Sequence, residues 1–155
     1  MSERAGSPNL GRAWLSDARY ELSVAKQLPT ALPDWQPKTT CFHAQQAAEK
    51  ALKAALLYAG IPFDEDHDLN YLVRILPDDW STKKTFASKL GPLSVHAVRT
   101  RYIDPRRDPP SKDEALLAVT TATRVYNAVL RDLSARGYIQ LSRKADTQSD
   151  DSLQE

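Results

Sequence analysis

The stretch from Thr40 to Gly60, TCFHAQQAAEKALKAALLYAG, constrains the fold more than any other part of the chain. Ala44, Ala48, Ala51, Ala55 and Tyr58 recur at helical spacing and make a stripe small enough to let a second helix approach closely. The neighbouring stripe, Phe42, Gln45, Glu49, Leu52 and Leu56, is apolar at both ends and polar at its centre. A carboxylate placed there needs partners, because burying it unpaired is strongly unfavourable. Two outcomes are open: Glu49 sits at the edge of the core and reaches water, or it belongs to a polar site built inside a helical bundle. For the second, the arginines of Arg99-Thr100-Arg101-Tyr102 are the candidate partners. Thr39 or Thr40 can cap the helix, and Gly60 followed by Pro62 ends it.

The rest of the chain is patterned in the same way. Trp14, Ala18, Leu22, Ala25 and Leu28 predict a first amphipathic helix that stops near Pro29. Pro29, Pro33 and Pro37 punctuate an irregular connection, in which Trp35 either closes one end of the core or offers a platform on which a base could stack. Asp66 or Asp68 caps a short helix over Leu69 to Leu76. A further helix, capped by Ser81 or Thr82 and carrying Phe86, Leu90, Leu93 and Ala97 on one face, must kink or split at Gly91-Pro92. Ser111-Lys112-Asp113-Glu114 is a capping box, so the last helix begins at Lys112. Its buried face is expected to run through Leu116, Val119, Ala122 or Thr123, Tyr126, Val129 and Leu133, with Gly137 as its stop. No segment reads as a strand. The expected fold is therefore all-α, an antiparallel up-and-down bundle of about four to five helices. It spans residues 10–137, between a flexible arm (1–9) and a polar, acidic tail (138–155) from which Tyr138, Ile139 and Leu141 could dock a short extension.

Composition narrows the functional classes. With 41% apolar and 26% charged residues the chain is ordinary for a soluble domain, and no stretch approaches a membrane span. The single cysteine, Cys41, cannot form an intrachain disulfide, and the opening residues lack the apolar core of a secretory signal, so a cytoplasmic location is the default expectation. A net charge of +1 argues against wholesale coating of nucleic acid. Local distribution matters more, since Arg99 to Arg107 holds four arginines against one aspartate, Asp104. Such a patch is either a solvated face or a place to hold phosphate. Gln45 and Glu49 on one helix and Arg99 and Arg101 on another bring opposite charges inward; a carboxylate can hold an arginine extended and leave donors free for a phosphate. His67, at the start of the third helix, either caps a loop or acts beside a carboxylate or phosphate. No histidine pair lies at ligand spacing, so no metal site is expected, and nothing calls for a cofactor.

The run Phe42-His-Ala-Gln-Gln-Ala-Ala-Glu-Lys-Ala-Leu-Lys-Ala54, the later His67-Asp68-Leu69 and Arg101-Tyr102 together resemble the small prokaryotic HEPN-domain proteins, over about residues 10 to 136. The resemblance implies a helical bundle that pairs as a homodimer, often the partner of an MNT-type minimal nucleotidyltransferase in a toxin–antitoxin-like module. Catalytically active members of that family are metal-independent ribonucleases marked by an arginine followed four to six residues later by a histidine. Here the residues after Arg99 and Arg101 include Asp104, Arg106 and Arg107 and no histidine. The resemblance then implies a non-catalytic or degenerate member that binds a nucleotide or RNA phosphate through Arg99, Arg101, Tyr102 and Arg106, with Gln45, Glu49, His67 and Asp104 as supporting polar groups. Two alternatives stay open. His96, three residues before Arg99, could serve an endoribonuclease with Arg99 or Arg101. In the other, the chain is a structural interaction module in which pairing of Glu49 with arginine only fixes helix register. Tyr102, beside the arginines, is also a possible acceptor of nucleotide transfer from a partner enzyme.

Overall fold

A computed structural model describes residues 8–99, 106 and 108–141, with the backbone alone of Arg99. Three long helices dominate: α1 (Pro8–Ala31), α2 (Pro37–Ala59) and α7 (Lys112–Ala135). Between α2 and α7 lie four short segments, α3 (Leu69–Arg74), α4 (Ser81–Phe86), α5 (Gly91–Ser94) and α6 (His96–Arg99). Among the described residues there is no strand.

Contacts fix the directions. Gly11 meets Tyr58, Asp17 meets Lys50 and Glu21 meets His43, so α1 and α2 are antiparallel. Lys112 lies over Trp35 at one end and Tyr138 packs beside Tyr58 at the other, so α2 and α7 run the same way. Asp132 binds Ser81 and Thr82 while α5 and α6 lie beside the start of α7, so α4 to α6 return in the opposite sense. The result is an up-and-down bundle whose third helix is broken into pieces.

The core explains why α2 is alanine-rich. Ala44, Ala48, Ala51 and Ala55 are fully buried, and so are Leu52 and Leu56 on the adjoining stripe. From α7, Ala115, Ala118, Ala122, Val125, Ala128 and Val129 face inward. Small residues on both helices let their axes approach closely. The inward face of α7 keeps Ala122, Val129 and Leu133 of the expected one, but Leu116 is half exposed and Val119 and Tyr126 are only partly buried, while Ala115, Ala118, Val125 and Ala128 complete it.

Several boundaries follow their signals and others do not. Ser111 Oγ accepts from the Glu114 amide at 3.1 Å, as the capping box requires. Gly60 ends α2 in the left-handed region (φ 70°), with the Ile61 amide returning to Leu56 O at 2.9 Å. The start of α2 differs. Gln36 is its N-cap and Pro37 occupies the first turn, where a ring-fixed φ and a missing N–H cost nothing. Thr40 therefore lies inside the helix, buried, its hydroxyl without a hydrogen-bond partner among the described residues. Helix α1 runs through Pro29 to Ala31, since a proline in the last turn removes only one backbone bond. The α4–α6 strip breaks before Gly91-Pro92, at Ala87 to Leu90, where Ser88 adopts φ 60°; Pro92 instead opens α5. Ser81 and Thr82 do not cap α4 with their own oxygens. Their amides and hydroxyls all donate to Asp132 of α7, at 2.6 to 3.0 Å.

Candidate functional site

Helical periodicity aligns Gln45, Glu49 and Lys53 on one face of α2, four residues apart. The Gln45 amide nitrogen donates to Glu49 Oε1 at 3.1 Å and the Lys53 ammonium to Glu49 Oε2 at 3.3 Å. Glu49 and Lys53 are 4% and 5% exposed and Gln45 is fully buried, so this is a charge pair inside the bundle rather than at its edge. Gln46 extends the chain by donating to Gln45 Oε1 at 2.8 Å. The Lys53 ammonium also lies 5.6 Å from the Trp14 ring and 5.9 Å from the Phe63 ring, positions in which the aromatic faces replace part of the lost hydration.

His67 reaches this buried group from the loop before α3. Its Nδ1 is 2.8 Å from Glu49 Oε1, while its side chain remains half exposed. Where the carboxylate accepts, Nδ1 is the donor of this contact. The loop is held on both sides. Asp68 caps α3 through the Asn70 amide, and the Ser94 hydroxyl of α5 donates to the His67 carbonyl while accepting from the Leu69 amide. Through Ser94 the histidine is tied to the strip that continues into α6, which itself packs on α2.

Of the residues singled out from sequence, Gln45, Glu49 and His67 thus come together. Glu49 does not reach bulk water. Its anticipated pairing with Arg99 or Arg101 lies outside the described residues, as do the side chain of Arg99 and all of Arg101, Tyr102 and Asp104. Arg106 is exposed. Trp35 is partly buried against the core, with the Lys112 ammonium 5.7 Å from its ring. His96 is 4% exposed and faces α7, where it lines a cavity of about 260 Å³ with Leu93, Leu117, Ala118 and Thr121.

Sequence reasoning misses Lys53 as the partner of Glu49, although a glutamate followed four residues later by lysine is a visible signal; the polar stripe is continued through Leu52 and Leu56 instead. It also passes over two further polar clusters. Between α1 and α2, Lys50 binds Asp17 and Glu21 at 3.0 Å each, and His43 Nδ1 meets Glu21 at 2.5 Å. Burial pulls the Lys50 ammonium toward a lower pKa, but hydrogen bonds and charge from Asp17 and Glu21 outweigh it and leave the pKa raised. At the far end of α7, burial pushes the Asp132 carboxyl up while the four donors of Thr82 and Ser81 outweigh that effect and hold it below the usual carboxylate range.

Bundles place their functional groups between facing helices, and a buried polar group on α2, flanked by Trp14 of α1 and by Phe63 and joined by His67 from the loop before α3, puts this chain among the helical bundles with an internal polar site. Its family follows from comparison: the sequence matches the HEPN domain over residues 12–133, and the chain belongs to that family. Among solved structures, the crystal structure of TT1696 from Thermus thermophilus is similar at 30% identity and a TM-score of 0.69, covering 81% of this chain and 99% of that one. No curated protein matches. Among the described residues no helix is long and apolar enough to cross a membrane, and no group of three or more His, Cys, Asp or Glu is placed to hold a metal ion.

Proposed function

We propose that this HEPN protein binds a nucleotide or an RNA phosphate through the arginine-rich segment that starts at the end of α6, with Arg99, Arg101, Tyr102 and Arg106 as the contacting residues. The observation that carries the reading is the buried Glu49 group, which anchors an exposed imidazole, His67, beside the strip leading into that segment. An arginine cluster supplies planar, permanently charged donors suited to phosphate. Because no histidine follows the arginines, the protein acts by binding rather than by cleavage. It works as a homodimer with an MNT-type nucleotidyltransferase partner, in the manner of a toxin–antitoxin-like module. Support for pairing comes from Val95, Val98, Leu116 and Leu117, large apolar side chains that are half exposed or more on α7 and the broken strip.

Arg101→Ala tests the binding. RNA and nucleotide affinity falls while the melting temperature stays at the wild-type value; unchanged affinity contradicts the reading, and loss of folding alone supports a structural module. A second reading, endoribonuclease activity, draws on the position of His96 in an open cavity one turn before Arg99. RNA cleavage in EDTA that disappears in His96→Ala would establish it.

A further inference from the structure

Helix α4 with its link to α5 (residues 81–90) and the middle of α7 (residues 115–131) carry Lys83, Lys84, Lys89, Arg124 and Arg131 and no carboxylate. The two segments run side by side in opposite directions. Thr82 binds Asp132 at one end, the Arg124 guanidinium lies 5.4 Å from the Phe86 ring in the middle, and Lys89 and Thr121 share a cavity wall at the other end. Arg131 follows Arg124 by two helical turns and so lies on the same flank of α7. We propose that this cationic strip carries the backbone of a single-stranded RNA. The inference rests on the phosphate-binding function above for its class of ligand, and it narrows that ligand from a nucleotide or RNA to RNA.

The charges of the strip are not spent within the protein. Lys50, Lys53, Lys83 and Arg136 are each held by a carboxylate, whereas Lys84, Lys89, Arg124 and Arg131 are exposed and have no ion-pair partner among the described residues. Asp132, at one end, is 4% exposed, and its oxygens accept from the amides and hydroxyls of Ser81 and Thr82. The next acids on α7, Asp113 and Glu114, belong to its first turn. From Thr121 to Asp132 the strip is about 16 Å long at ~1.5 Å per residue, more than one phosphate needs and enough for about five stacked nucleotides at ~3.4 Å each. A protein partner needs apolar anchors at the centre of its interface, and no large apolar side chain of residues 81–90 or 118–131 is exposed. Contacts to a phosphate backbone need cations and small polar groups, and exposed Thr85, Ser88 and Asn127 add the latter on the same two segments.

Binding of an oligouridylate of about 12 nucleotides, and of UMP, to the full chain over a range of salt concentrations tests the strip. The variant Lys84→Gln/Lys89→Gln/Arg131→Gln removes three exposed charges that hold nothing else in place, so its melting temperature is expected to equal that of wild type. Its slope of log affinity against log salt for the oligonucleotide is expected to be flatter by about 2, at ~0.7 per phosphate contact, with UMP binding unchanged. If Arg101→Ala weakens both ligands and the triple variant weakens neither, the arginine function stands and the strip is overturned. If the triple variant flattens the slope and Arg101→Ala has no effect, the strip stands and the arginine function falls. No oligonucleotide binding by wild type overturns both. Polyglutamate of equal length binding as tightly as the RNA would assign the strip to an acidic protein segment and overturn the proposal. On the unmodified protein, RNA carrying 4-thiouridine is expected to crosslink to peptides within residues 81–90 and 121–131, and crosslinks confined to other peptides overturn it.

Discussion

Replacing Glu49 by alanine removes the acceptor shared by Gln45, Lys53 and His67 and leaves the Lys53 ammonium buried without its counter-ion. Breaking a buried pair in this way costs about 3–5 kcal/mol, because the remaining charge stays desolvated. The Trp14 and Phe63 rings hold Lys53 near the ~6 Å limit of cation–π attraction, which offsets about 1 kcal/mol. The net expectation for Glu49→Ala is a loss of about 2–4 kcal/mol. Lys53→Met costs less, since Gln45 and His67 still donate to the carboxylate. In the Lys53→Met background the stranded charge is absent, so the two losses are not additive. Urea denaturation of wild type, both single variants and the double variant at neutral pH should give a coupling of at least about 1.5 kcal/mol with unchanged m-values. Additivity within about 0.5 kcal/mol would refute the claim that Glu49 and Lys53 are a buried, mutually dependent pair.

Other consequences are simpler to state. Asp132 has a depressed folded pKa, so its stabilising contribution is fully present above the ordinary aspartate value of about 3.9 and is lost as pH falls through the folded value. Acid unfolding of Asp132→Asn should accordingly be shallower below about pH 4 than that of wild type, although the variant starts less stable at neutral pH; parallel curves would contradict this. Gly60→Ala meets no atom within 4 Å but must hold φ at +70°, so the cost is backbone strain of about 1–2 kcal/mol, visible as a lower melting temperature. A melting temperature equal to wild type would show that the end of α2 relaxes.

Elements with local signals were legible in the sequence. The Ser111 cap, the Gly60 stop and the fully buried alanine stripe of α2 all rest on residues close together in the chain, and the structure has them as expected. What depended on distant residues was not. Asp132 carries no signal in the helical pattern, because its partners Ser81 and Thr82 lie 50 or more residues away. On α7, Ala122, Val129 and Leu133 were legible as buried, whereas Leu116, Val119 and Tyr126 were given core places that close approach to α2 assigns to Ala115, Ala118, Val125 and Ala128. The polar site was half legible: spacing put Gln45 and Glu49 on one stripe, but the imidazole that completes their network comes from a loop after α2. Periodicity cannot report such a contact, because it describes one element at a time.

The central claim is that Arg99, at the end of α6, and the arginines after it hold phosphate. The direct measurement is the affinity of a single-stranded RNA oligonucleotide as a function of salt, for wild type and for Arg99→Ala/Arg101→Ala/Arg106→Ala. Each phosphate contact contributes about 0.7 to the slope of log affinity against log salt on single strands, so losing three should flatten the slope by about 2. Weaker binding with that flattened slope is the predicted result. An unchanged affinity and slope would place the phosphate contacts elsewhere and contradict the account.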